Sequence, residues 1–195
     1  MDFKRVCVYC GSSSGARQSY EHAAEAMGKA LAGRGIELVY GGGRVGLMGT
    51  IANAVLEAGG NVIGVIPEAL VAKEVAHLGL KDLRVVQSMH ERKAVMVNLS
   101  DAFIALPGGF GTLEEFCEVL TWAQLGEHRN PHGLLNVDGF YDGFLKFLDH
   151  AVTEKFIRSV HRELVITEKD PEKLLDLLTE ARLPDLDKWI DLEQT

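Results

Sequence analysis

Two adjacent carboxylates, Glu114 and Glu115, follow directly on Leu106-Pro107-Gly108-Gly109-Phe110-Gly111-Thr112-Leu113. The preceding run Ala102-Phe103-Ile104-Ala105 is apolar, so the stretch reads as a buried strand that turns through glycines into a helix. At such a junction the first backbone N–H groups have no intrahelical partner, and the helix dipole adds positive potential. With no Cβ in the way, the glycines let the backbone close on a bound anion. A phosphate cradle built from the amides of Gly109, Phe110, Gly111 and Thr112, within a candidate substrate-binding stretch that also takes in Gly108 and Leu113, does not need acids, so Glu114 and Glu115 point to chemistry beside the anion. A structural role competes with this, because Thr112 and Glu115 stand at capping-box spacing.

A second cluster lies in Met89-His90-Glu91-Arg92-Lys93-Ala94-Val95-Met96-Val97-Asn98-Leu99. On a helix Met89, Arg92 and Met96 share a face, with Val95 and Leu99 alongside, so most of the circumference is apolar and the helix is expected to be well buried. Arg92 then needs an anionic partner, either a ligand phosphate or carboxylate or a structural acid. Gly41-Gly42-Gly43-Arg44-Val45-Gly46 matches G-x-G-x-x-G, and Glu68 follows the next strand. That pattern raises an NAD(P)-dependent oxidoreductase as an alternative, and a tight packing turn as the structural one. Against the first, the loop follows the second expected strand and Pro67 intervenes before the acid. Two further glycine-rich turns, at 11–15 and 108–111, also compete for phosphate. Gly11, Ser12, Gly42 and Gly43 are candidate additional phosphate or ribose contacts. Thr121, two turns beyond Thr112, is a further candidate for the same pocket.

The elements that must position these groups alternate along all 195 residues. Apolar runs at 6–9, 38–40, 62–66, 83–86, 103–106, 134–137 and 164–166 read as strands. Amphipathic stretches such as 20–32, 47–58 and 113–125 read as helices. The pattern predicts an α/β fold: one Rossmann-like, doubly wound parallel sheet with helices on both faces. A single domain is expected over 1–195, with a core at about 4–180 and an acidic, peripheral tail at 184–195 whose Trp189 and Ile190 point to docking. The connection 67–81 is read as a lid or a short helix. A net charge of −8 argues against a nucleic-acid partner, and no apolar stretch is long enough for a membrane span. With no signal-peptide core at the N-terminus, a cytoplasmic protein is expected. Cys7 and Cys10 point to opposite faces of a strand and are read as buried packing. Asn130-Pro131 separates His128 from His132, so neither a metal nor a cofactor is expected.

PGGxGTxxE, present literally from Pro107 to Glu115, resembles the signature of the LOG family, the cytokinin riboside 5′-monophosphate phosphoribohydrolases long mislabelled as lysine decarboxylases. Met89-His90-Glu91-Arg92-Lys93, Cys10-Gly11-Ser12-Ser13, the run 41–49 and Thr121-Trp122-Ala123-Gln124-Leu125-Gly126 are similar to that family too, so the resemblance covers about residues 4–180. It implies hydrolysis of the N-glycosidic bond of adenosine 5′-monophosphates, plain or N6-substituted, to free base and ribose 5-phosphate. It further implies that Arg92 and Glu115 are the catalytic pair, that Lys93 and Glu74 contact the nucleotide substrate, and that the protein is a homodimer. Only the resemblance singles out Glu74. Whether Arg92 serves the leaving base or the phosphate and ribose is left open, and a non-catalytic nucleotide sensor is the remaining alternative. Lysine decarboxylation is disfavoured, since no pyridoxal-phosphate Schiff-base motif is found.

Overall fold

A computed structural model describes residues 3–71 and 75–182. The seven apolar runs form seven strands, β1 (Arg5–Tyr9), β2 (Glu37–Tyr40), β3 (Val62–Pro67), β4 (Asp82–Val86), β5 (Ala102–Ala105), β6 (His132–Leu135) and β7 (Val165–Glu168). They make one sheet in the order β4-β3-β2-β1-β5-β6-β7, with every pair parallel. β1 is central: Val6 stands opposite Leu38 on one side and Ala102 on the other.

Two cores sandwich the sheet, as continuous apolar strands require. One holds Val6 and Val8 of β1 with Met27 and Leu31 of α1 (Gln18–Gly33), Ile51 and Val55 of α2 (Gly46–Glu57), and Leu174 and Leu178 of α8 (Pro171–Glu180). The other holds Cys7 and Tyr9 with Met96 and Val97 of α4 (Met89–Leu99), Phe116 and Val119 of α5 (Phe110–Gln124), and Leu148 of α6 (Asp142–Thr153). Cys10 belongs to the first core and Cys7 to the second, so the CxxC pair is divided between the two faces and both thiols are free. Burial pushes both thiols well above their ordinary pKa, which suits packing rather than redox work.

The connection at 67–81 is only partly helical. α3 (Glu68–Val71) is short, and Ala76 forms an antiparallel bridge with Gly43. Arg44 N donates to the Val75 carbonyl and His77 N to that of Gly42, both at 2.8 Å. Glu74 and the tail from 183 lie outside the described residues. A further short helix, α7 (Ser159–Arg162), precedes β7. α4 buries one side rather than most of its circumference: Arg92, Lys93, Met96 and Val97 are covered, while Met89 stays well exposed at its first turn.

His132 lies fully inside the second core, 5.5 Å from the Phe103 ring and 5.4 Å from that of His128. The Val119 carbonyl pairs with His128 Nε2 at 3.1 Å, and both His132 ring nitrogens are buried without a partner among the described residues. Burial, reinforced by His128, lowers the His132 pKa to about 3. The unfolded chain therefore takes up a proton near pH 6.5 that the fold refuses, and stability drains away as pH falls from there towards 3. His132→Phe should lose about 1–2 kcal/mol less than the native chain between pH 7 and pH 5 in urea unfolding. Identical losses would contradict the assignment.

Candidate active site

The sheet reverses its winding between β1 and β5, since α1 crosses one face and α5 the other. Open α/β sheets bind ligands at such a point, beyond the strand ends. The two loops leaving it are tied together: Gly11 N donates to the Pro107 carbonyl at 3.0 Å and Leu106 N to that of Tyr9 at 2.9 Å. A buried Tyr141 hydroxyl holds the Leu106 carbonyl at 2.6 Å. A cleft of about 250 Å³ opens there, lined by Gly11, the serines 12–14, Tyr20, Leu47, Pro107–Gly109 and Phe140.

α5 begins at this cleft. Its N-cap is Gly109, with no side-chain cap bond, so the capping box expected from Thr112 and Glu115 does not form. The first intrahelical bond runs from Leu113 N to the Gly109 carbonyl at 3.1 Å, which leaves the amides of Phe110, Gly111 and Thr112 for an anion. Thr112 is buried against Gly108, where an added Cβ would stand 2.1 Å from Thr112 Oγ1. Leu113 packs into the second core, and the Phe110 ring is 93% exposed.

Arg92 and Glu115 are brought together. Arg92 Nη1 lies 3.2 Å from Glu115 Oε1, with the two residues 8% and 9% exposed. The rest of the guanidinium is held by strand ends: Nε donates to the Val65 carbonyl of β3 at 3.0 Å and Nη2 to the Gly41 carbonyl after β2 at 3.3 Å. The start of α4 is fixed by Ser88, whose hydroxyl accepts from Glu91 N at 3.1 Å, while Glu91 accepts from Gln87 N at 2.8 Å. Burial raises the Glu115 pKa, and Arg92 opposes it without cancelling it. Next to Arg92, Lys93 donates to Glu114 Oε1 at 2.5 Å and to Glu118 Oε1 at 3.0 Å. Burial works to lower the Lys93 pKa, but the two carboxylate bonds outweigh it and the net shift is upward.

The remaining candidates divide. Gly11 and Ser12 line the cleft, whereas Gly42 and Gly43 hold the segment at 75–77. The G-x-G-x-x-G loop is a packing device: a Cβ on Gly41 would sit 1.9 Å from Arg92 Nη2, and one on Gly46 would sit 2.3 Å from the Ser12 backbone. Thr121 is not brought to the pair within one chain. Nine residues at about 100° each carry it to the side of α5 opposite Thr112. There it is exposed, and its hydroxyl bonds back to the Cys117 carbonyl at 2.8 Å. Sequence reasoning missed Glu118, although it stands one helical turn after Glu114, and missed Tyr20, Phe140 and Tyr141, which leave no motif.

Gly41→Ala tests the close approach at Arg92. It should lower stability by about 1–3 kcal/mol in chemical unfolding, because the methyl must displace a buried guanidinium. Gly143→Ala, where the methyl meets nothing within 4 Å, should leave the midpoint unchanged or raised. Equal stability of the two variants would refute the close approach.

Comparison with known proteins identifies the family. Residues 48–178 match a family model described as a possible lysine decarboxylase. The chain is 55% identical over 178 residues to the cytokinin riboside 5′-monophosphate phosphoribohydrolase LOG of Oryza sativa subsp. japonica, spanning 91% of this chain and 74% of that protein. It is 50% identical over 186 residues to the Arabidopsis thaliana enzyme LOG7, spanning 95% and 85%. Among solved structures, the molybdenum cofactor binding protein of Rippkaea orientalis superposes with a TM-score of 0.69 at 23% identity, over 92% of this chain and 98% of that one. At that identity the likeness shows the fold alone. With residues 48–178 matching the family model and half or more of the aligned residues identical to these enzymes over at least nine-tenths of the chain, the chain belongs to the LOG family of phosphoribohydrolases.

Proposed function

We propose that this chain is a hydrolase that cleaves the N-glycosidic bond of adenosine 5′-monophosphates, plain or N6-substituted, releasing free base and ribose 5-phosphate. The observation that carries it is the buried Arg92–Glu115 pair, placed one helical turn beyond the free amides of α5. The 5′-phosphate sits on the amides of Phe110, Gly111 and Thr112, which brings the ribose over the turn that carries Glu115. As the C1′–N9 bond breaks, its electron pair leaves with the purine and positive charge spreads over C1′ and the ring oxygen. The Glu115 carboxylate stabilises that charge and orients the attacking water, whose oxygen forms the new C1′ bond. The water proton passes to Glu115 and ends on the departing base.

Arg92 does not release a proton in this scheme. Nε and Nη2 each donate to a backbone carbonyl, Val65 and Gly41, and Nη1 lies against Glu115. It keeps Glu115 ionised against the cost of burial and can donate a hydrogen bond to the leaving base. Glu74 and Lys93 are assigned to substrate contact on the family motif. The cytoplasm is the compartment in which the three free thiols persist, and a tagged protein found elsewhere would overturn that placement. No helix among the described residues is long and apolar enough to cross a membrane.

Homodimerisation is part of the proposal, supported by the exposed Phe147 and Phe156. Light scattering should give twice the 21.3 kDa of one chain, and a monomeric mass at micromolar protein removes the claim. Glu115→Gln should lower kcat at least about 100-fold while nucleotide still binds. In the native enzyme kcat/KM should fall as pH drops, because protonation removes the base. Since the Glu115 pKa is raised, that limb should lie above the ordinary carboxylate range, and a limb at or below about 4.3 would contradict the role.

A further inference from the structure

Lys93 follows Arg92 on α4 but faces a different pair of acids, Glu114 and Glu118, four residues apart on α5 with Glu115 between them. The two acids are not equivalent. The Glu114 side chain is 55% exposed, whereas that of Glu118 is 25% exposed and its Oε2 is fully buried with no partner among the described residues. If the Glu114 bond opens, water can replace it at small cost. If the Glu118 bond opens, a carboxylate already lacking one partner is left further unsatisfied in a sheltered place. Lys93 itself is one-tenth exposed, so its ammonium has little freedom to follow a departing acid.

A dianionic phosphate approaching the first turn of α5 meets an imbalance of charge, one ammonium between two carboxylates. Glu114, two residues beyond Thr112, would repel it. We propose that Glu118 is a positioning residue: it anchors the Lys93 ammonium beside the phosphate cradle, while Glu114 is the partner exchanged for the 5′-phosphate when nucleotide binds. This rests on the phosphoribohydrolase reading above, from which the phosphate is taken. It deepens that reading by adding a residue that acts on substrate only through another side chain.

A double-substitution cycle reads the coupling directly. Ribose 5-phosphate is titrated by calorimetry into the full-length native protein, Glu118→Gln, Lys93→Met and the double variant, and KM and kcat for AMP are measured on the same samples. Glu118→Gln should weaken ribose 5-phosphate binding and raise KM about tenfold while kcat moves less than about threefold, the mark of lost binding rather than lost chemistry. In the Lys93→Met background the same substitution should add nothing. Glu118→Asp, which keeps the charge but withdraws it by one methylene, should fall between and carries the cycle should the Gln variant not fold. An unchanged KM in Glu118→Gln, or an equal cost with and without Lys93, overturns the anchor; a purely structural role would lower the unfolding temperature without this split. A native protein that binds ribose 5-phosphate but leaves AMP intact overturns the proposed function instead, because the binding cycle does not depend on turnover.

Discussion

The rest of the structure depends on one constraint: a guanidinium and a carboxylate, Arg92 and Glu115, are held together almost out of water. Removing two such charges from solvent costs several kcal/mol each, and their attraction offsets this only when the remaining hydrogen bonds are made. Here the fold makes them. The parallel sheet ends β2 and β3 side by side, so the carbonyls of Gly41 and Val65 both turn towards the same guanidinium. α4, fixed at its start by Ser88, delivers Arg92 to them, and the absence of a side chain at Gly41 leaves the room. Glu115 stays harder to ionise than a surface glutamate, which suits its proposed role of taking a proton from water.

A second constraint is that the proposed mechanism draws anion binding and acid–base work from one helix without interference. α5 presents unpaired amides at its first turn and Glu115 a turn later, so one rigid element sets the distance between the proposed phosphate site and the Glu115 carboxylate. Ties between the β1 and β5 loops fix where that helix begins: Gly11 to Pro107, Leu106 to Tyr9, and the Tyr141 hydroxyl on Leu106. Glu114 and Glu118 flank Glu115 and hold Lys93, so the lysine ammonium is fixed by neighbours on the same two helices.

The sheet was legible because its strands are short apolar runs bounded by turn residues, and alternation with amphipathic helices forces parallel pairing. The need of Arg92 for an anion was legible from a charge on an apolar stripe. Glu115 was linked to it only through the family resemblance, because the packing of α4 and α5 brings the two together and spacing along the chain cannot report that. The glycine loop at 41–46 shows the ambiguity of glycine itself: the room left for a phosphate and the room left for Arg92 or Ser12 look alike in sequence. Thr121 shows how phase accumulates, since a residue two and a half turns on lies on the other side of the helix. Glu118 was missed because a third acid on an acidic helix reads as solvated surface until its buried oxygen and the Lys93 contact are seen.

The central claim, that Glu115 drives glycosidic hydrolysis of a bound nucleoside monophosphate, is tested most directly by chromatography. AMP and isopentenyladenosine monophosphate are incubated with native protein and with Glu115→Gln, and the products separated. Free base and ribose 5-phosphate from the native protein alone is the result this account predicts, and the faster substrate identifies the preferred base. Intact nucleotide in both incubations, or equal release by the variant, would contradict it.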